Sequence, residues 1–262
     1  MSANRQVLLK SRPDGIPQAA HFEIVETKLR DLRDGEILVR NQYLSVEPAM
    51  RGWVSAVANY AQPVGLGEVM RSFATGEVVA SKHAGFAVGD KVTGSFGWQD
   101  YAIVTAADIT RKVTETDIPL SASLGIMGLN GITAYFGFLE TCAPKPGDCV
   151  VVSTAAGSVG SAVGQIAKLM GCRTIGISGG PQKVQLCLDE FGYDVALDYR
   201  AQTDLRAALA NACPRGVDCY FDNTSGPISD AVYANLAAGA RITICGTASV
   251  ASWDTLLAGS KG

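Results

Sequence analysis

Val150-Val151-Val152-Ser153-Thr154-Ala155-Ala156-Gly157-Ser158-Val159-Gly160 is the stretch that decides how this chain folds. It reads as a buried strand, a tight turn of small residues and the opening of a helix. The helix carries Val159, Ala162, Val163, Ile166, Ala167 and Met170, a spacing that turns one apolar stripe toward a sheet. Gly171 follows, where a left-handed helix end costs least because no Cβ is present. Amides at a helix start lack intrahelical partners and point outward, which suits a diphosphate. Gly157 would let backbone approach the phosphates, and Gly160 would let the helix close on its strand. Ala155 takes the place of the usual first glycine of G-x-G-x-x-G. Such turns also serve packing alone, so the motif counts only with the right surroundings.

The surroundings fit. Downstream, strands are predicted at 149–153, 173–178, 194–198, 217–222 and 240–245, with helices at 158–170, 181–191, 203–212 and 227–237. This alternation is that of a parallel sheet. A doubly wound dinucleotide fold has six strands in the order 3-2-1-4-5-6; here the sequence stops a short loop after the fifth. Upstream, short β-prone runs (37–40, 76–79, 91–94, 101–104) are separated by Gly, Asp and Pro turns, which predicts a compact, mostly antiparallel barrel. A helical passage with Gly128, Gly131 and Gly137 joins the halves, and Pro144 and Pro146 mark the turn before Asp148. The expected division is 1–122 for the β domain and 123–262 for the α/β domain.

With 262 residues, 47% hydrophobic and 18% charged, the composition is that of a globular enzyme-like protein rather than a disordered one. A net charge of −3 without a basic block gives no footprint for nucleic acid. No secretory signal and no apolar run of membrane-spanning length is visible, so the expected location is cytoplasmic. Seven cysteines without a C-x-x-C pair, and only His21 and His83, offer neither a disulfide framework nor ligand spacing for zinc.

Cofactor choice is read at the end of the second strand of the α/β half. A carboxylate there would bind a ribose diol and repel a 2′-phosphate. The chain has Ser178-Gly179-Gly180-Pro181-Gln182-Lys183 instead. Lys183 alone is an ordinary solvated helix residue, but with the acid missing the segment favours NADPH over NADH. Asn223, in Tyr220-Phe221-Asp222-Asn223-Thr224-Ser225-Gly226, is expected to be free to bond a ribose or carboxamide, and Gly246, in Ile244-Cys245-Gly246-Thr247, to admit the nicotinamide. Either segment could also be plain turn chemistry.

Leu44-to-Gly52, Gly131-to-Gly137, Ala155-to-Lys168, Tyr220-to-Gly226 and Ile244-Cys245-Gly246 together resemble the zinc-independent medium-chain dehydrogenase/reductases, in the branch of NADPH-dependent 2-alkenal, prostaglandin and curcumin reductases. The resemblance spans nearly the whole chain. It implies a GroES-like β-barrel catalytic domain followed by a doubly wound Rossmann domain that binds NADPH without a metal. It also implies roles: Gly157, Ser158, Val159 and Gly160 on the pyrophosphate; Lys183 and Tyr199 on the 2′-phosphate; Asn223 and the turn of Cys245, Gly246, Thr247 and Ser249 on ribose and nicotinamide. The implied reaction is hydride transfer to the β-carbon of a small apolar enone or enal, giving an enolate that is then protonated. No acid–base pair is identified, and the catalytic side chain is left unassigned. Tyr43, Met50 and Trp98 are candidates for an apolar substrate wall, with core packing an equal reading.

The chain departs from the family pattern at three places. Glu47 and Ala49 replace an Asp and a Tyr, and Asn223-Thr224-Ser225-Gly226 replaces Asn-Val-Gly-Gly. Family members also continue for several tens of residues, so a C-terminally truncated chain lacking the last Rossmann strand is expected, with a homodimer left open for a full-length form. Two alternatives stand beside the alkenal reductase: a zinc-free NADPH quinone oxidoreductase, and an NADPH-binding protein inactive because truncated.

Overall fold

A computed structural model describes residues 3–56 and 61–248. The chain forms two units, Met1–Leu124 and Gly125–Gly262.

In the first unit, β1 (Ala3–Leu9) and β2 (Phe22–Lys28) make an antiparallel ribbon. A second sheet holds β3 (Ile37–Leu44), β4 (Phe73–Ser81), β5 (Lys91–Ser95), β6 (Tyr101–Val104) and β7 (Ile109–Lys112), in the order β6-β3-β4-β5-β7. All its ladders are antiparallel. Ile37, Val39, Val78, Val92, Ala102 and Val104 face one core, the two-residue period expected when one sheet face is covered. Among the described residues no ladder joins β6 to β7, so this hydrogen-bonded sheet is open where the sequence predicts a barrel. Isolated bridges at Gln6↔Gln99 and Leu8↔Val69 tie the ribbon to the segments that lead into β6 and β4. β2 is not among the runs picked out from the sequence; it is largely solvated, with Ile24 71% exposed. The short helix α1 (Met50–Trp53) buries Met50 and Trp53 with Leu9, Val54, Val64 and Met70.

The second unit opens with α2 (Leu129–Phe136), which runs on as a π-helical turn, Gly137–Cys142. Then come β8 (Cys149–Ser153), α3 (Ser158–Leu169), β9 (Arg173–Ser178), α4 (Pro181–Asp189), β10 (Val195–Asp198), α5 (Leu205–Ala212), β11 (Val217–Asp222), α6 (Gly226–Tyr233) and β12 (Leu236–Ile244). The five strands are parallel in the order β10-β9-β8-β11-β12, which is the 3-2-1-4-5 of the dinucleotide fold. Val150 and Val152 pack with Phe138, Ala162, Val163 and Ala167 on one face. Val151 packs with Ile175, Leu209, Tyr220 and Val232 on the other. Both faces are covered, which is why β8 reads as an unbroken apolar run.

Several expected bounds shift. α6 ends at Tyr233 rather than at 237, because Asn235 turns the chain. Its Nδ2 donates to Ala231 O at 2.9 Å and to Arg206 O at 3.1 Å, and β12 starts at Leu236 rather than at 240. α5 starts at Leu205 because Asp204 caps it, Oδ1 accepting from Ala207 N at 3.0 Å. α3 ends before Met170, which is 38% exposed instead of lying on the apolar face, and Gly171 takes the left-handed end at φ 76°.

Candidate functional site

The carboxyl ends of β8, β9, β11 and β12 carry the candidate site, as expected for an open parallel sheet. At the centre is the turn 154–157. Thr154 sits in the left-handed region at φ 52°. Ala155 N donates to Ile177 O at 3.0 Å, and Ala156 N to Ser178 Oγ at 3.0 Å, so the end of β9 holds the turn in place. Gly157 is the N-cap of α3 with no side-chain cap, and the bond from Ser161 N to Gly157 O (2.8 Å) closes the first helical turn. The amides of Ser158, Val159 and Gly160 precede it and have no carbonyl four residues back inside the helix. At Gly160 a Cβ would lie 2.3 Å from Thr154 O and 2.9 Å from Ala155 Cα. The helix start is therefore seated on the turn at a distance that only glycine permits. A cradle of open amides on a helix dipole fits a diphosphate.

The turn after β9 fits a second anion. A Cβ on Gly179 would meet Tyr199 Cε1 at 2.8 Å and Arg200 Nε at 2.9 Å, so both side chains stand over this glycine. The Arg200 guanidinium lies 5.6 Å from the Tyr199 ring centre, with Nε donating to Tyr199 Oη at 3.4 Å. Lys183 is exposed in the first turn of α4. Asp198 is the nearby acid, but Oδ1 accepts from Gly180 N at 2.9 Å and Arg200 N at 3.0 Å. Those bonds, Gly180's foremost, hold its carboxyl below the ordinary range. Arg200 adjoins Tyr199 in sequence and was missed by the sequence reading; its signal was a cation beside an aromatic at the end of β10.

The turns after β11 and β12 differ from expectation. Asn223 is not free: its Nδ2 donates to Ser153 O at 2.7 Å and its backbone N to Ser153 Oγ at 2.8 Å. The amides of Cys245 and Gly246 both donate to Asp222 O, at 2.8 and 3.1 Å. Cys245 and Thr247 are exposed, and Ser249 lies outside the described residues.

Asp222 anchors this end of the sheet, a role the sequence reading did not assign. It is fully buried. Oδ1 accepts from Thr224 N (2.8 Å), Ser225 N (2.9 Å) and Tyr220 Oη (3.0 Å), and Oδ2 accepts from Ser229 Oγ (2.6 Å). Burial pushes its pKa up, but these donors outweigh burial and hold it below the ordinary value.

Of the apolar candidates in the first unit, Met50 is core and Trp98 packs against the same cluster, its Nε1 donating to Ser45 O at 3.0 Å. Tyr43 is 46% exposed. Among the described residues no three His, Cys, Asp or Glu side chains gather as a metal site, and no helix is long and apolar enough to cross a membrane.

Two family models match the chain: "N-terminal domain of oxidoreductase" over residues 5–112 and "Zinc-binding dehydrogenase" over 158–258. The NADPH-dependent curcumin reductase of Escherichia coli (strain K12) is 42% identical over 94% of this chain and 71% of its own length. The NADP(+)-dependent 2-alkenal reductase of Nicotiana tabacum is 39% identical over 93% of this chain and 72% of its own. Among solved structures, CurA from Vibrio vulnificus in complex with NADPH superposes with a TM-score of 0.87 at 45% identity, covering 94% of this chain and 73% of that one.

Proposed function

The chain belongs to the medium-chain dehydrogenase/reductase family, in the branch of NADPH-dependent curcumin, 2-alkenal and prostaglandin reductases, and from that premise we propose that it reduces the carbon–carbon double bond of α,β-unsaturated aldehydes or ketones with NADPH. The observation that carries the cofactor reading is the Gly179-Gly180 turn, which has no acid of its own, is overhung by Tyr199 and Arg200 and is followed by Lys183, the neighbouring Asp198 carboxylate being engaged by Gly180 N and Arg200 N. A 2′-phosphate is accepted by such a turn, where a strand-end carboxylate would reject it.

In this reading the open amides of Ser158, Val159 and Gly160 hold the diphosphate, with Gly157 giving backbone access. Lys183 and Tyr199 hold the 2′-phosphate, joined by Arg200. Asn223, its nitrogen spent on Ser153, keeps its oxygen to accept from a ribose hydroxyl. The turn from Cys245 through Gly246 to Thr247 supplies backbone near the nicotinamide. Bound NADPH supplies the hydride that adds to the β-carbon of the conjugated double bond. The protein's own contribution is orientation and the holding of charge by fixed dipoles, without an acid–base pair of side chains. The first unit is read as a GroES-like domain.

NADPH consumption with 2-alkenals, set against the matching saturated aldehydes and a quinone, tests the proposal. Turnover is expected with the alkenals. Turnover of only the saturated compounds refutes the reaction class, and turnover of only the quinone selects the alternative reductase.

A further inference from the structure

Ser225 has a backbone that serine rarely adopts, with φ 58° and ψ −174°. That region is open to glycine and strained for any residue with a Cβ. Strain of this kind persists only where surrounding contacts over-determine it, and here they do. Ser225 N donates to the buried Asp222 Oδ1 at 2.9 Å, and Ser225 Oγ donates to Gly246 O at 3.4 Å. From the other side Cys245 N and Gly246 N donate to Asp222 O, and Ala248 N donates to Asn223 O at 3.3 Å. The turns after β11 and β12 are thus tied by backbone bonds at both ends and by one side-chain hydroxyl in the middle. A glycine at 225 would relax the backbone and remove that hydroxyl.

We propose that Ser225 is a positioning residue, its hydroxyl fixing the Cys245–Thr247 backbone against the Asn223 turn so that the two present one preformed surface to the nicotinamide end of NADPH. This rests on the cofactor reading above, and it explains why a strained serine occupies a place where glycine folds more easily. Ser225 touches Gly246 rather than reacting atoms, so its effect reaches the cofactor through the position of the second turn.

Ser225→Gly and Ser225→Ala separate strain from the hydroxyl. For each, the melting temperature of the cofactor-free protein and the NADPH dissociation constant, by fluorescence titration, are compared with wild type. Ser225→Gly is expected to melt at or above wild type and Ser225→Ala below it. Both are expected to weaken NADPH binding by about threefold to tenfold, the range for one lost hydrogen bond. Weaker binding in a variant that is no less stable is an outcome a merely structural serine does not produce. Wild-type dissociation constants in both variants overturn the inference, as does weakening confined to the less stable one. If wild type itself takes up no NADPH, the cofactor reading falls and this inference with it; if wild type binds and the variants match it, only this inference falls.

Discussion

Gly160→Ala tests the seating of the cofactor helix most directly. The added Cβ would stand 2.3 Å from Thr154 O and 2.9 Å from both Thr154 C and Ala155 Cα. All three are backbone atoms, so no side chain can rotate out of the way. Relief requires α3 to back off by about 1 Å, since carbon–carbon contacts settle near 3.5–4.0 Å. That movement loosens Ala162, Val163 and Ala167 from Val150 and Val152. Overpacking costs roughly 1–3 kcal/mol, and a backbone-only clash belongs at the top of that range. At ~3 kcal/mol the melting temperature should fall by roughly 6–12 °C for a chain of this size. The same displacement moves the Ser158, Val159 and Gly160 amides, and a 1 Å error in positioning can cost about a hundredfold in rate. Gly157→Ala is the internal comparison: its Cβ would meet Thr154 Cγ2 at 2.8 Å and Thr154 O at 3.0 Å, at an ordinary φ of −81°. A threonine methyl can turn away, so a loss of about 1 kcal/mol is expected, the bottom of the overpacking range. Thermal melts of the cofactor-free variants, followed by NADPH titration and steady-state kinetics, decide the matter. A Gly160→Ala protein that melts with wild type and binds NADPH equally would show that α3 does not sit on the turn as described.

The remaining expectations concern charge. Lys183→Ala and Arg200→Ala should each raise the KM for NADPH and leave that for NADH nearly unchanged. Arg200 is held over the Tyr199 ring and so gives up less freedom on binding than Lys183. Its loss should cost about tenfold or more, that of the exposed Lys183 less, and added salt should shrink both effects; equal losses for the two nucleotides would remove the 2′-phosphate from this turn. Asp222→Asn leaves the donors from Tyr220, Ser229, Thr224 and Ser225 poorly matched and should destabilise by about 2–4 kcal/mol near neutral pH. Because the folded pKa is depressed below the ordinary aspartate value, which is about 3.9, the carboxylate's contribution is fully present above the ordinary value and drains as pH falls through the folded one. The gap between wild type and Asp222→Asn in denaturant melts should therefore narrow below about pH 4. A gap that does not change with pH would mean that Asp222 is not ionised in the folded protein.

What the sequence revealed and what it hid follow from one distinction: whether a residue's role depends on local conformation or on partners far along the chain. The strand, turn and helix of 149–170 were legible because period, small residues and a terminal glycine are local properties, and β8, β9 and β11 fall where they were expected. The missing acid after β9 was legible for the same reason. Asp222 and Ser225 were not. Their roles rest on Ser153, Ser229 and Gly246, brought together only when the ends of β8, α6 and β12 meet. Asn223 shows the cost of reading a turn alone: an amide that looks available in sequence is already donated to Ser153 O, 70 positions upstream. The first unit was read less well because β2 and β7 bury little: neither holds a fully buried residue. Arg200 lies between the two cases, visible beside Tyr199 in sequence but meaningful only once both side chains close over Gly179. A polar residue at the end of a parallel strand is therefore best read as a question about which neighbouring strand end it bonds. In this protein the answer is that Asp222 is spent wholly on building the surface, while Asn223 spends its nitrogen on Ser153 O and keeps its oxygen for a ligand.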